Sequence, residues 1–197
     1  MISLYQFFIS GIPKPQGRPK ARVVIPKDGR EPFASVYSPT TDWRRSVQAR
    51  CENVRFRYNA APVAPLRVRL AFYLDRPKAD FGTGRNAGKL KARAPRYCTK
   101  RADVDNLAKA VLDAMTDAKL IQDDMLVVDL HVVKHWAACD NGQAGVRINI
   151  GLPACPQCGG DDVQPTTREG ADLFCMVCDR GQQAGAHVDL FGQEVEF

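Results

Sequence analysis

The chain has 197 residues, 45% of them hydrophobic and 25% charged. That is enough for one ordinary domain with a small appendage, in proportions normal for a water-soluble globular protein. No apolar run approaches the length of a membrane span, and the opening M-I-S-L-Y-Q-F-F-I-S-G lacks the charged start of a signal peptide, so a cytoplasmic protein without membrane contact is expected. The formal net charge of +6 hides a split: the first 100 residues carry 21 Lys and Arg against 6 Asp and Glu, and the rest carry 7 against 16. The basic half suits a polyanion such as nucleic acid, with general solubility as the plain alternative. The acidic half would repel that polyanion unless its carboxylates are neutralised, as bound metal ions would do, or are held away from the contact surface.

Residues 2–9 read as a first strand, with Ile2, Leu4 and Phe8 on one face and Ser3, Tyr5 and Phe7 on the other. The stretch G-I-P-K-P-Q-G-R-P-K-A-R that follows cannot be a helix interior. It reads as a flexible basic loop in which Lys14, Arg18, Lys20 and Arg22 could meet phosphates, or as a solvated connector. Residues 33–37 suggest a short strand. S-P-T-T-D-W then offers a helix start with Thr40 or Thr41 as cap, and Trp43, Val47, Cys51, Val54 and Tyr58 follow at helical spacing as core residues. After the break at A-P-V-A-P comes the clearest strand, with Leu66, Val68, Leu70, Phe72 and Leu74 on one face. Residues 76–100 hold no sustained apolar period. They read as a long mobile loop, with Lys89, Lys91, Arg93, Arg96, Lys100 and, just beyond, Arg101 as DNA-contact candidates that order on binding.

From Val104 to Met115 the apolar positions Val104, Leu107, Ala108, Val111, Leu112 and Met115 mark one face of an amphipathic helix. Asp103 and Asp105 stand at its start, where the helix dipole favours anions, and Asp105, Lys109 and Asp113 recur every four residues along one flank. From Met125 the period becomes that of a strand, with Leu126, Val128, Leu130 and Val132 alternating against Val127, Asp129, His131 and Val133; Asp123 and Asp124 sit at its mouth. Four collected carboxylates call for hard cations such as Mg²⁺ or Mn²⁺, which take carboxylate oxygens and promote phosphodiester hydrolysis, while a lysine alongside can stabilise transition-state charge. The plainer alternatives are a helix cap at Asp103, a solvated turn at Asp123 and Asp124, and a surface ion pair between Asp105 and Lys109. C-D-N-G-Q then marks a turn, and Val146, Ile148 and Ile150 complete a predicted β-hairpin that closes the main domain near Gly151.

The motifs D-V-D-N-L-x-K-A-V-x-D-A, from Asp103 to Ala114, and D-D-x-x-V-V-D-x-x-V-V-K, from Asp123 to Lys134, resemble the core of the RusA-type Holliday-junction resolvases. The resemblance implies a crossover junction endodeoxyribonuclease that acts on four-way DNA junctions as a homodimer, in recombination and repair and commonly in prophages. It implies that Asp103, Asp105 and Asp124 bind the metal, that Lys109 is the essential lysine and that Asp123 supports the site. A non-catalytic DNA-binding protein, or a nuclease for flaps and other branched DNA, are the competing readings. The expected fold is α+β: a mixed or mainly antiparallel sheet with two main helices, in a nuclease domain over residues 1–151.

Cys155, Cys158, Cys175 and Cys178 form C-x2-C-x16-C-x2-C, the spacing of a structural Zn²⁺ site in a ribbon-like module over residues 152–185. Few apolar residues lie between the pairs, so metal binding must supply most of the module's folding energy. Cys51, Cys98 and Cys139 lack chelate spacing and read as free thiols. In the tail, residues 186–197, H-V-D-L-F resembles the peptide that docks bacterial repair proteins on the sliding clamp, with Leu190 and Phe191 as anchors; the alternative is that these two pack back on the zinc module.

Overall fold

A computed structural model describes residues 3–17, 20–37, 42–58, 64–99, 102–137, 142–160, 163–165 and 173–175. The strands are β1 (Ser3–Ser10), β2 (Lys20–Val24), β3 (Phe33–Tyr37), β4 (Leu66–Leu74), β5 (Val127–Trp136), β6 (Gly145–Gly151), β7 (Val163–Pro165) and β8 (Leu173–Cys175). The helices are α1 (Asp42–Tyr58) and α2 (Val104–Asp117). The main sheet has the order β1-β6-β4-β5, with β6 antiparallel to both β1 and β4, and β4 parallel to β5. This is the expected α+β class: a mixed sheet carrying two helices.

Alternation decides which side of the sheet is covered. Leu66, Val68, Leu70 and Phe72 of β4 and Val146, Ile148 and Ile150 of β6 are fully buried. They meet Trp43, Val47 and Cys51 of α1 and Leu107, Val111 and Met115 of α2 in one core. Each such side chain contributes roughly 1.5–3 kcal/mol by leaving water. Arg44 ties the two helices together, reaching Asp117 at 2.5 Å and Asp113 at 3.9 Å. Among the described residues both helices lie on one face, and the other face carries Arg69, Arg147, His131 and His135 exposed.

Four expectations need correction. On β1 the core face is Tyr5, Phe7 and Ile9, because these pair with Ile150, Ile148 and Val146; Phe8 turns to the other side. Lys20 and Arg22 stand on β2, hydrogen-bonded to β3, rather than in a loop. β5 and β6 are not a hairpin, since β4 lies between them. β4, with a fully buried apolar face of Leu66, Val68, Leu70 and Phe72, is best placed in the interior of the sheet, which sends the chain across its end before β6 begins. Finally, residues 76–99 are an ordered excursion without long-period structure. Short 3-10 turns at Lys78–Asp80 and Gly84–Asn86 are joined by bridges from Phe81 to Leu90 and from Gly82 to Ala87. The buried guanidinium of Arg76 organises it by donating to the Pro95 carbonyl at 2.9 Å, lying 3.7 Å from Asp80 and stacking 4.6 Å above the Trp136 ring. Hydropathy periods carry no trace of such local polar bonding.

Candidate metal and nucleic-acid site

The start of α2 is held in place from two sides. Asp103 occupies the N-cap position, with its carbonyl accepting from Leu107 N at 3.1 Å, yet its carboxylate makes no capping bond. Just before it, Ala102 adopts φ +62°, a left-handed conformation costly for a residue with a Cβ. Its carbonyl accepts from Lys134 Nζ at 3.0 Å, so the end of β5 secures that turn. On the other side Gln16 N donates to the Asn106 carbonyl at 3.0 Å, fastening the basic loop after β1 to the first turn of α2. The carbonyl of Pro95, accepting also from Trp136 Nε1 at 3.2 Å, brings the excursion 76–99 to the same end of the sheet.

Asp103, Asp105 and Lys109 are all exposed. No ion pair joins Asp105 to Lys109 among the described residues, so the alternative of a simple surface pair has no support. Asp113, the next acid along that flank, belongs instead to Arg44. The bare N-cap carboxylate also weakens the reading of Asp103 as a cap. It leaves hard oxygen donors in front of a helix start, a donor set that suits Mg²⁺ or Mn²⁺.

The second acidic pair lies elsewhere. Asp123 accepts from Met125 N at 2.8 Å and so caps the 3-10 turn Asp124–Leu126, while Asp124 is exposed. Both precede the first residue of β5, whereas Ala102 is fastened to Lys134 near its last. Lys134 is seven strand steps beyond Val127, roughly 23 Å at strand rise. Within one chain the two pairs therefore stand at opposite ends of β5. Consistently, the described residues contain no group of three His, Cys, Asp or Glu side chains placed to hold a metal.

Among the basic candidates, Lys14, Lys20, Arg22, Lys89, Arg93 and Arg96 are exposed. Lys91 donates to the Ala79 carbonyl at 2.9 Å, which gives it a structural task. Arg18, Lys100 and Arg101 lie outside the described residues, as do Cys139, Cys178, Leu190 and Phe191. Sequence reasoning missed the roles of Lys134 and Ala102. The lysine closing the second motif was the available signal, but its bond is to a backbone carbonyl that no side-chain pattern reveals.

A family model, Endodeoxyribonuclease RusA, matches residues 11–150. The chain belongs to the RusA endodeoxyribonuclease family. No curated protein matches it. The RusA match begins just after β1, covers both helices, β4, β5, β6 as far as Ile150 and both acidic motifs, and ends before Cys155. No helix among the described residues is long and apolar enough to cross a membrane.

Proposed function

We propose that this RusA-family chain is a divalent-metal-dependent endonuclease that resolves four-way DNA junctions by paired nicks, with each active site completed between two copies. The supporting observation is the position of β5. It is an edge strand of ten residues, and Val128 and Leu130 on it are 62% and 44% exposed. Long apolar edges invite pairing with another strand. Antiparallel pairing of two β5 strands about a two-fold axis sets the Lys134 end of one against the Val127 end of the other. Asp103 and Asp105 of one protomer then face Asp123 and Asp124 of its partner.

Asp103, Asp105 and Asp124 would hold Mg²⁺ or Mn²⁺, with Asp123 in support; the cation would supply Lewis-acid activation and charge neutralisation at the scissile phosphate. Lys109, one turn beyond Asp105, presents its ammonium to charge developing on the phosphate oxygens. Lys14, on the loop fastened to the start of α2, Lys20 and Arg22 of β2, and Lys89, Arg93 and Arg96 of the excursion hold the flanking backbone. Two sites per dimer give the two cuts that a junction requires. The test is a synthetic four-way junction incubated with Mg²⁺, Mn²⁺ or EDTA. Symmetric nicks in the metal lanes, lost in Asp105→Asn with junction binding retained, support the proposal. Junction binding without cutting in any lane indicates a non-catalytic DNA-binding protein, and preference for flaps indicates another branched substrate.

Residues 152–185 form a separate zinc module in this reading. Its first chelate loop has a fitting backbone: Gly159 N donates to the Cys155 carbonyl at 2.9 Å, Cys155 N to the Gly160 carbonyl at 2.9 Å, and Gly160 N points at Cys158 Sγ at 3.4 Å. Gly159 takes φ +70° to close that turn. An amide aimed at the sulfur suits a cysteine that ligates a metal, as an outer hydrogen bond orienting the ligand. Cys175 closes β8, opposite Val163 of β7. Elemental analysis of the full chain should find about one zinc per chain, as four thiolates require, and Cys155→Ser or Cys178→Ser should release it.

A further inference from the structure

We infer that the sheet face away from the helices is a second DNA-binding surface, one that takes an unpaired strand. Strand register defines its middle. Arg69 of β4 lies opposite Asn149 of β6 on one side and His131 of β5 on the other. One step along, Arg147 lies opposite Ala71 and Phe8. Arg69 and Arg147 are thus diagonal neighbours, roughly 7–8 Å apart at the backbone. Both are exposed, and these two rows contain no carboxylate. The face's acid, Asp129, is a row away and bonded at 2.5 Å to Arg67.

Chemistry selects the occupant. Two exposed arginines on neighbouring strands, with backbones that close, can reach successive phosphates of an extended strand. The Asn149 amide and the His131 ring offer hydrogen-bonding and stacking groups beside them. At the top of the face, His135 lies exposed against Tyr73, with ring centroids 5.7 Å apart, and Arg147 sits 5.7 Å over the same tyrosine ring. A Cβ at Gly145 would collide with the Ile9 carbonyl and with the Phe8 ring, so that glycine lets β1 and Phe8 approach the strand closely. Cationic rows interleaved with ring faces are the physical basis of single-strand binding. A flat sheet offers nothing that projects into a duplex groove. The inference rests on the DNA-directed reading above, but not on cleavage or on metal.

The test uses the full chain in EDTA with labelled oligo-dT and a duplex of equal length, titrated over a range of salt. Arg69→Ala/Arg147→Ala should weaken oligo-dT binding on the order of tenfold and flatten its salt dependence by about 1.4 in log–log slope, the share of two phosphates on a single strand. Asn149→Asp, which adds a repelling charge to the same rows, should weaken it too, while Arg69→Lys/Arg147→Lys should keep the slope. Unchanged oligo-dT binding, or an equal loss on duplex, overturns the assignment. So does tighter binding on neutralising the arginines, which would give the face to residues 161–197, where 8 Asp and Glu stand against 2 Arg. Failure of wild type to cut a junction in Mg²⁺ bears on the nuclease proposal alone.

Discussion

A shared active site makes a sharp prediction about mixed subunits. Take Asp105→Asn in one preparation and Asp124→Asn in another. Both side chains are exposed and the changes are isosteric, so each chain should fold. Alone, each variant has two crippled sites, and loss of a charge-stabilising ligand should cost on the order of 100-fold or more. In a mixed dimer one site collects both substitutions. The other receives Asp105 from the second chain and Asp124 from the first, and is intact. Random exchange makes half of the dimers mixed, so about a quarter of the wild-type sites return for a two-fold symmetric dimer. Those sites occur singly. The assay is a supercoiled plasmid bearing an extruded cruciform: wild type gives linear product from paired cuts, and the mixture gives nicked circles with almost no linear. A mixture that stays inactive while native mass spectrometry shows subunit exchange refutes the shared site. So does full activity in either variant alone.

Other consequences are independent of assembly. Lys134→Met removes the ammonium that holds the Ala102 carbonyl, a charge-assisted bond worth about 1.5–3 kcal/mol; it should lower affinity for Mn²⁺, measured by calorimetry, more than it lowers Tm. Leu107→Ala, fully buried on α2, should cost about 2–5 kcal/mol in urea unfolding. Arg44→Ala should cost about 1 kcal/mol, and double-mutant cycles should divide it between Asp113 and Asp117. Burial pushes the Cys51 thiol from an ordinary 9.0 up to about 12. Its raised value means the stability contribution is whole below about pH 9, where the unfolded thiol stays protonated, and falls by up to about 1.4 kcal/mol per pH unit as pH rises towards 12. Cys51→Val should flatten the alkaline limb of the stability curve, and native Cys51 should react slowly with thiol reagents at pH 8.

What the sequence disclosed depended on the range of the interactions involved. β4 and α2 were readable because one buried face writes a period of two or of three to four residues into the chain. β1 misled because Leu4, Tyr5, Phe7, Phe8 and Ile9 offer apolar groups to both faces; only its pairing with β6 selects Tyr5, Phe7 and Ile9. β5 was recognised as a strand, but its apolar residues suggested a buried face. Val128 and Leu130 are instead exposed at a sheet edge, a fact of strand order that no local pattern contains. The acidic motifs were visible as residue types, and their relation in space was not. Adjacent helix and strand seemed to bring Asp103 near Asp124, but the antiparallel run of α2 and β5 sends the pairs to opposite ends.

That separation accounts for the charge pattern as well. Four carboxylates gathered in a monomer would repel one another wherever metal is absent, and would tax the stability of a single small core. Divided between the ends of β5, each pair is solvated and tolerable alone. In the proposed dimer the cluster would arise when two edges meet, at the same moment as the apolar surface of Val128 and Leu130 would be buried. Apolar contact can then offset the carboxylate repulsion, and a cation adds attraction that neither protomer could gain unaided. By mass action, a ligand bound only by the dimer must also tighten the dimer. Mg²⁺ should therefore lower the dimer dissociation constant in sedimentation experiments without DNA, and Asp124→Asn should abolish that dependence. A dissociation constant indifferent to Mg²⁺ at concentrations that support cutting would show that the cation does not bridge the subunits.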